Sequence, residues 1–299
     1  MCYFIRMNTF SEKINALTAN KIKEILSEDN ATFDVIQYSV WRAKTANYQA
    51  IYYTSGKLLI QGKDITPLVQ KINDILGIKT QIAEEAQIIK EEVYIGTDES
   101  VKGDFFGPLI VAGVQVNNKN KQKFIDLGIK DSKKLADKKI LEMAKFIRAN
   151  SQHAVVIMLP TKYNELYSKF NNLNKLLAWG HARAIENILE KSPCNYALAD
   201  KFGDESLIKN ALMNKGKNIV LNQMVRAEAD IAVAAASVLA RAEYVKRMAE
   251  MEEKYSMPFS KGASDKVIEQ GKNFVKEYSF ERLNEVAKMH FKTVNDVKN

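Results

Sequence analysis

The chain has 299 residues, 46% hydrophobic and 27% charged, which is typical of globular proteins and excludes a disordered or low-complexity chain. No stretch approaches the roughly 18 apolar residues that a membrane span needs, and the start MCYFIRMNTFSEKIN lacks the apolar core of a signal peptide. Lys and Arg (44) outnumber Asp and Glu (36), and this net charge of +8 favours a polyanionic partner such as nucleic acid.

Residues 1–80 are expected to form a small N-terminal α+β domain. Thr9 and Glu12 have the spacing of a capping box, which predicts a helix that begins there. A second helix is predicted over 66–77, where Thr-Pro opens the segment and Gly closes it. Between the two helices the alternation of apolar residues predicts three strands, at 32–41, 48–53 and 58–61.

Residues 81–92 are polar and are expected to be a linker, either an extended connection or a short bridging helix. Residues 93–299 alternate between strand-like and helix-like segments, which predicts an α/β domain with a central mixed sheet flanked by helices. The predicted strands are 93–97, 109–116, 154–159, 196–199 and 218–221. The predicted helices are 136–149, 173–190, 205–213 and 229–254.

Acidic residues stand at the ends of two apolar strands of this larger domain. Asp98 and Glu99 follow the first strand, and Asp200 ends the strand near 196–199. Taken alone, each could be a solvated loop acid. Sites in open α/β sheets lie beyond the carboxyl ends of the strands, so Asp98 and Asp200 are expected side by side if their strands are neighbours.

A third source of acids is Glu228 and Asp230, just before an alanine-rich helix. Adjacent carboxylates repel each other in a low dielectric, and a bound cation removes that difficulty. Carboxylates without a Cys/His cluster favour Mg²⁺ or Mn²⁺. Two such ions can activate a water and stabilise the leaving oxygen of a phosphodiester. Together with the basic net charge, the acids indicate a nuclease.

Other catalytic motifs are missing from the sequence. It contains no GxxxxGK[ST], HExxH or GxSxG motif. The two cysteines, Cys2 and Cys194, provide neither a disulfide framework nor a CxxC metal motif, so a reducing, cytoplasmic compartment is expected. His153, His181 and His290 lie in unrelated contexts and are expected to be structural or surface residues.

Six short motifs occur in the order found in type 2 ribonucleases H, and the sequence resembles ribonuclease HIII most. They are DESVKGDFFGPL (98–109), IKDSKKL (129–135), DKF (200–202), AEADIAVAAASVLAR (227–241), SKGAS (260–264) and KMHF (288–291). The segments VWRAKT (40–45) and SGKLLIQGK (55–63) resemble the sheet of the small N-terminal domain of that family, which is similar to the TATA-box-binding protein fold.

The resemblance implies an endonuclease that cuts the RNA strand of RNA/DNA hybrids and leaves 3′-hydroxyl and 5′-phosphate ends. It implies two Mg²⁺ or Mn²⁺ ions and four residues that are both catalytic and metal-binding: Asp98, Glu99, Asp200 and Glu228. Asp230 is the alternative to Glu228, should the following helix begin later. A monomer with no membrane partner is expected.

The resemblance also implies a loop at Val101-Lys102-Gly103 whose backbone contacts the ribose 2′-hydroxyl, with Lys102 offsetting phosphate charge. Family members have glycine where this chain has Val101. A positive φ would strain a β-branched residue there, whereas an extended backbone would tolerate it, and the extended backbone is the expectation.

Two further groups of residues are candidates for substrate binding. Ser132, Lys133 and Lys134 resemble an element that binds the nucleic-acid backbone, although lysine pairs are often only solvated. In the N-terminal domain, basic residues alternate with aromatic ones, which suggests a nucleic-acid clamp through Arg42 and Lys44. The alternative is that the aromatic residues form the core of that domain.

The sequence leaves alternatives open for two further residues and for the function of the chain. Ser237 and Arg241 could orient the site or serve packing alone. The chain could instead cut at single ribonucleotides in duplex DNA, as ribonuclease HII does. It could also be a catalytically silent hybrid-binding protein, with Val101 as the defect.

Overall fold

The computed structural model describes residues 9–63, 65–76, 92–129, 135–224 and 227–298. Contacts divide the chain into two units, 1–88 and 89–299, and each has its own apolar core. The linker predicted at 81–92 falls, except for its last residue, outside the described part of the chain. Among the described residues, every helix is too short or too polar to cross a bilayer.

The N-terminal unit has two helices on one face of a five-stranded antiparallel sheet. The strands are β1 (Thr9–Lys13), β2 (Thr32–Asp34), β3 (Ser39–Lys44), β4 (Tyr48–Tyr53) and β5 (Lys57–Gly62), in the order β1-β5-β4-β3-β2. The helices are α1 (Ala16–Glu28) and α2 (Thr66–Leu76). The predicted α+β class is therefore confirmed, whereas the likeness to the TATA-box-binding protein stays a prediction.

Two sequence predictions for this unit are wrong. Thr9 does not cap a helix, because Thr9–Lys13 pairs with β5; the helix begins after Asn15, whose side chain accepts from the backbone N–H of Thr18 at 2.9 Å. The strand predicted at 32–41 is two strands, since the chain reverses between β2 and β3. Pairing across the sheet, which is not visible in local periodicity, decides both differences.

The C-terminal unit is built on the predicted mixed sheet. Its strands are β6 (Val93–Ser100), β7 (Leu109–Asn117), β8 (His153–Met158), β9 (Tyr196–Asp200) and β10 (Val220–Met224). The order is β10-β9-β6-β7-β8, in which β10, β9 and β6 are parallel and β7 and β8 are antiparallel to their neighbours. The resulting α/β architecture confirms the predicted fold class.

Eight α-helices belong to the described part of this unit. They are α3 (Asn118–Asp126), α4 (Asp137–Asn150), α5 (Pro160–Phe170), α6 (Leu173–Leu189), α7 (Glu205–Ala211), α8 (Ile231–Tyr255), α9 (Asp265–Tyr278) and α10 (Thr293–Lys298). The four helices predicted within 136–254 are present with ends shifted by a few residues. α3 and α5 were not among the helices predicted from the sequence.

Close packing of helix against strand positions the candidate site. A Cβ built on Gly96 in β6 would lie 2.3 Å from the backbone of Ala232 and Val233, so α8 approaches the strand more closely than any other residue type would allow. On the other face of the sheet, a Cβ built on Gly180 of α6 would lie 2.8 Å from the side chain of Val111 in β7. The centre of the sheet therefore lies between two closely packed helices.

Candidate active site

The strand register brings Asp98 and Asp200 together. In the parallel pair of β6 and β9, Thr97 is level with Ala199, so the next residue on each strand is Asp98 and Asp200. Asp98 is only 8% exposed, and the charge of Asp200 is close enough to raise its pKa. Two carboxylates from residues far apart in the sequence therefore share the carboxyl-terminal edge of the sheet, as the sequence predicted.

Asp98 is a buried carboxyl with a raised pKa. Burial is the main cause, and the negative charges of Glu99 and Asp200 add to it. The hydroxyl of Ser237 on α8 and the backbone N–H of Glu99, 2.8 Å from Asp98 Oδ1, donate to this carboxyl and partly oppose the rise. Ser237 thus orients Asp98, which was one of its two predicted roles.

Glu99 is held at both carboxylate oxygens. Burial alone would raise its pKa, but His181 and Lys102 outweigh burial and lower it. Lys102 Nζ lies 2.7 Å from Oε1, and His181 Nε2 lies 3.3 Å from Oε2. In this structure, therefore, Lys102 pairs with a carboxylate of the site.

His181 is the residue that sequence reasoning undervalued. It is fully buried on α6, its Nδ1 lies 2.9 Å from the hydroxyl of Thr97, and its ring stacks on Phe202. It is structural, as expected, but it also touches Glu99. The available signal was a histidine within the largely apolar run LLAWGHARAI.

The segment that carries Glu228 lies next to Asp200. Ala227–Ala229 forms a 3₁₀ turn, and the backbone N–H of Ala227 donates to Asp200 Oδ1 at 3.0 Å. The side chain of Glu228 is not among the described atoms.

Asp230 has other partners. Its Oδ1 accepts from the N–H groups of Ala232 and Val233 at the start of α8, and its Oδ2 accepts from the hydroxyl of Tyr94 at 2.7 Å. These contacts give Asp230 a capping role and favour Glu228 as the fourth acid of the site.

The donor set suits a hard divalent cation. Among the described side chains, no three acidic, histidine or cysteine groups converge at metal-coordinating distances. Asp98 and Glu99 are nevertheless buried carboxylates in mutual repulsion, and Asp200 adds to it. Bound Mg²⁺ or Mn²⁺ would remove that repulsion and accept these oxygen ligands.

The loop after these acids differs from the expectation. Val101 has φ +63°, in the left-handed region, so the predicted extended backbone is wrong. A β-branched residue in this region is strained. Gly103, two residues on, is exposed, and a Cβ built on it would meet nothing within 4 Å, so a ligand could approach its backbone on that side.

The other predicted substrate residues lie elsewhere. Ser132, Lys133 and Lys134 are outside the described residues. Arg241 donates to Leu135 O at 2.7 Å and to Asp137 Oδ1 at 2.9 Å, so it holds the start of α4.

In the N-terminal unit, Arg42 and Lys44 alternate along β3 with the buried residues Trp41 and Ala43. They therefore project from the face of the sheet opposite the helices, and Arg42 is paired with Asp34. Trp41 and Tyr52 belong to the core of this unit, as the alternative interpretation held.

The fold and the strand-end carboxylates define the class of proteins with a ribonuclease H-like α/β domain and an acidic site. The family model described as ribonuclease HII matches residues 95–294. A ribonuclease HIII of Chlamydia felis is 40% identical over 92% of this chain and 93% of its own, and one of Protochlamydia amoebophila is 36% identical over 96% of both. The chain belongs to the type 2 ribonuclease H family, and these whole-length relatives are ribonucleases HIII.

A solved structure of similar fold aligns with most of this chain. The crystal structure titled Bst-RNase HIII in complex with Mn²⁺ has a TM-score of 0.67 and 23% identity, covering 97% of this chain and 98% of that one.

Proposed function

We propose that this ribonuclease H is an endonuclease that hydrolyses the RNA strand of RNA/DNA hybrids and leaves 3′-hydroxyl and 5′-phosphate ends. Asp98, Glu99, Asp200 and Glu228 would hold two Mg²⁺ or Mn²⁺ ions. The observation that carries the proposal is the adjacency of Asp98 and Asp200 at the ends of parallel strands, beside Glu99 and next to the turn that bears Glu228. The Mn²⁺ complex of a protein with the same fold supports the choice of cation.

When bound, the two ions would supply an activated water and stabilise the departing 3′-oxygen. The residues of the chain contribute fixed ligand geometry. Ser237 and the Glu99 N–H hold Asp98, while His181 holds one oxygen of Glu99. Because these groups are already oriented, little reorganisation is needed when charge develops on the phosphate.

Discrimination between RNA and DNA requires a contact with the 2′-hydroxyl, since phosphates and base edges are largely shared. The 101–103 loop follows Glu99 directly, and its Gly103 backbone is open. Backbone groups there would contact the sugar. Lys102 would turn from Glu99 to a phosphate once cations neutralise the carboxylates, because its salt bridge is half-exposed.

The experiment is a cleavage assay with three substrates: a uniform RNA/DNA hybrid, a DNA duplex with one embedded ribonucleotide, and a DNA duplex. Each is incubated with Mg²⁺, with Mn²⁺ or with chelator. We expect cleavage of the hybrid with either metal and none with chelator. Preference for the single ribonucleotide would point to ribonuclease HII specificity, and tight hybrid binding without cleavage would indicate a silent binder.

The substitution Asp98→Asn tests the metal-binding site in the same assay. It should reduce hybrid cleavage by at least about a thousandfold, on the scale seen when a group of a catalytic constellation is removed. Hybrid affinity should stay within about twofold, because phosphate contacts dominate binding. Retained turnover would remove Asp98 from the site. A cytoplasmic location and a monomeric state stay predictions.

A further inference from the structure

The segment that follows the 101–103 loop is fixed between two distant parts of the chain. The N–H of Phe105 donates to Gly262 O, the N–H of Lys288 donates to Phe105 O, and the N–H of Gly107 donates to Val286 O, each at 2.9 Å. The backbone of residues 104–107 is therefore hydrogen-bonded to the 260–264 loop and to residues 286–288.

Asp104 receives hydrogen bonds from three different elements. Gly262 N–H donates to its Oδ1 at 3.0 Å, and the hydroxyl of Tyr244 on α8 donates to its Oδ2 at 3.1 Å. The ammonium of Lys288 donates to its main-chain carbonyl at 2.7 Å. Side chain and backbone of one residue thus connect the end of the loop to α8 and to the two C-terminal segments.

Lys288 is an unusual residue to find in this position. It is 0% exposed, and burial lowers its pKa to about 7, opposed by the charge of Asp104. Within the described part of the chain its ammonium makes no salt bridge; besides the Asp104 carbonyl, it lies 5.6 Å from the centre of the Tyr163 ring. Burying a lysine is costly, so the contact with Asp104 needs an explanation beyond core packing.

The strained backbone at Val101 explains why a buried lysine would contact Asp104. The hydrogen bond that closes the loop, from Asp104 N–H to Val101 O, is long at 3.4 Å and is weak. Val101 is nevertheless held at φ +63°. A β-branched residue keeps a left-handed backbone only where several contacts with its surroundings enforce that conformation. One end of the loop is anchored by β6, and the other end is anchored by Asp104.

We propose that Asp104, Lys288 and Tyr244 are positioning residues, which fix the 101–103 loop in the conformation that reads the 2′-hydroxyl. This inference rests on the proposed role of that loop. The buried lysine tethers the carbonyl of Asp104, and Tyr244 and Gly262 orient its carboxylate. The three residues act on substrate discrimination through the loop, and their described hydrogen bonds are to Asp104 and its neighbours rather than to the metal-binding acids.

The test measures hybrid discrimination in the full-length protein. The affinities for an RNA/DNA hybrid and for a DNA duplex of the same sequence are measured by fluorescence anisotropy in chelator, where no cleavage occurs. Lys288→Met removes the ammonium and keeps the apolar stem. We expect the ratio of the two affinities to fall about tenfold, because misplacing a positioned group by even an ångström is costly. Mn²⁺ affinity by calorimetry should stay within about twofold of the unmodified protein, since His181 still holds Glu99 and Ser237 still holds Asp98.

A matched control separates positioning from stability. Glu186→Gln disturbs another buried contact, the acceptance of the Met213 and Gly216 N–H groups, in a part of the unit remote from Asp104 in the hydrogen-bond network. It should lower the melting temperature without changing the affinity ratio. An unchanged ratio in Lys288→Met, or an equal fall in Glu186→Gln, would overturn the proposal.

A second variant decides the matter if Lys288→Met does not fold. Tyr244→Phe removes one hydrogen bond to the Asp104 carboxylate and keeps the buried ring. The ratio should fall about threefold, less than in Lys288→Met, because the Gly262 N–H still holds the carboxylate. An unchanged ratio in a folded Tyr244→Phe protein refutes the inference. Failure of the proposed function looks different: the unmodified protein would then fail to cleave the hybrid, or would bind hybrid and DNA duplex equally.

Discussion

His181 Nε2 lies 3.3 Å from Glu99 Oε2, while its Nδ1 lies 2.9 Å from the hydroxyl of Thr97. A carboxylate only accepts hydrogen bonds, so Nε2 donates, and in the neutral ring Nδ1 accepts from the threonine hydroxyl. Stacking on Phe202, two residues after Asp200, fixes the ring plane. His181 therefore links the two strands that carry the acids.

This link predicts a role for His181 in metal affinity. Replacing it with alanine should weaken Mn²⁺ binding about 10- to 100-fold, the range found when groups that orient metal ligands are removed. His181→Gln, which keeps a donor, should recover part of the affinity. Titration calorimetry measures both variants. His153→Ala is the control, because the only described hydrogen bond of the His153 side chain is to the carbonyl of Ser151. Equal Mn²⁺ affinities in all variants would contradict the prediction.

Glu228 and Asp230 should respond differently to neutralisation. Asp230→Asn keeps one acceptor for the N–H groups at the start of α8, so it should cost up to about 1 kcal/mol of stability, as a weakened helix cap does. Its kcat should change less than about threefold, because that carboxylate has structural partners. Glu228→Gln should abolish cleavage. Parallel turnover and melting measurements check this, and the reverse pattern would assign Asp230 to the site.

Because of Asp98, the free energy of unfolding of the metal-free protein, measured in the presence of chelator, should depend on pH. Its folded pKa lies above the unfolded value of about 3.9, so the folded state holds the extra proton and stability falls as pH rises from that value through the raised pKa. Asp98→Asn removes this loss and should raise the melting temperature on the order of 5 °C at pH 8 and less at pH 5. Asp126→Asn, at an exposed position, is the control. A lower melting temperature for Asp98→Asn at pH 8 would contradict the argument.

Val101→Gly should stabilise the protein. The left-handed backbone costs a non-glycine residue about 1–2 kcal/mol. The greater freedom of glycine in the unfolded chain offsets about 0.5–1 kcal/mol of this, which leaves a gain between about 0 and 1.5 kcal/mol. The melting temperature should rise by about 2–4 °C, with hybrid cleavage retained. Val40→Gly, in an exposed and extended part of β3, should instead destabilise. A destabilised Val101→Gly protein would mean that the Val101 side-chain contacts outweigh the strain.

The N-terminal sheet should bind the substrate through its outer face. Lys44 and Lys57 lie on the face opposite α1 and α2, because their neighbours Ala43 and Leu58 are buried beneath the helices. Replacing both with alanine should raise KM more than it lowers kcat, and should reduce the salt dependence of hybrid affinity by about two in the log–log slope. Lys21→Ala with Lys71→Ala removes the same charge from the helices and should leave both quantities unchanged. Equal effects of the two pairs would contradict a specific surface.

The fold class and the adjacency of Asp98 and Asp200 could be predicted from local patterns. Apolar strands that end in carboxylates, followed by alanine-rich helical periodicity, are properties of short segments, and the parallel pairing of β6 and β9 then makes Asp98 and Asp200 neighbours. β1 could not be predicted in this way, because its five residues become a strand only by pairing with β5.

The sequence by itself determined which residue types could perform the chemistry: acids at strand ends, a glycine-containing loop and a basic excess. Only the tertiary structure decided which of them meet. In the folded chain Asp230 caps α8, Trp41 and Tyr52 are buried in a core, and Val101 has a left-handed backbone. His181 contacts Glu99 and Lys288 contacts Asp104, although these pairs are far apart in the sequence. The physical reason is that hydrogen-bond partners and burial depend on long-range packing, whereas composition and periodicity record only the local preferences of the chain.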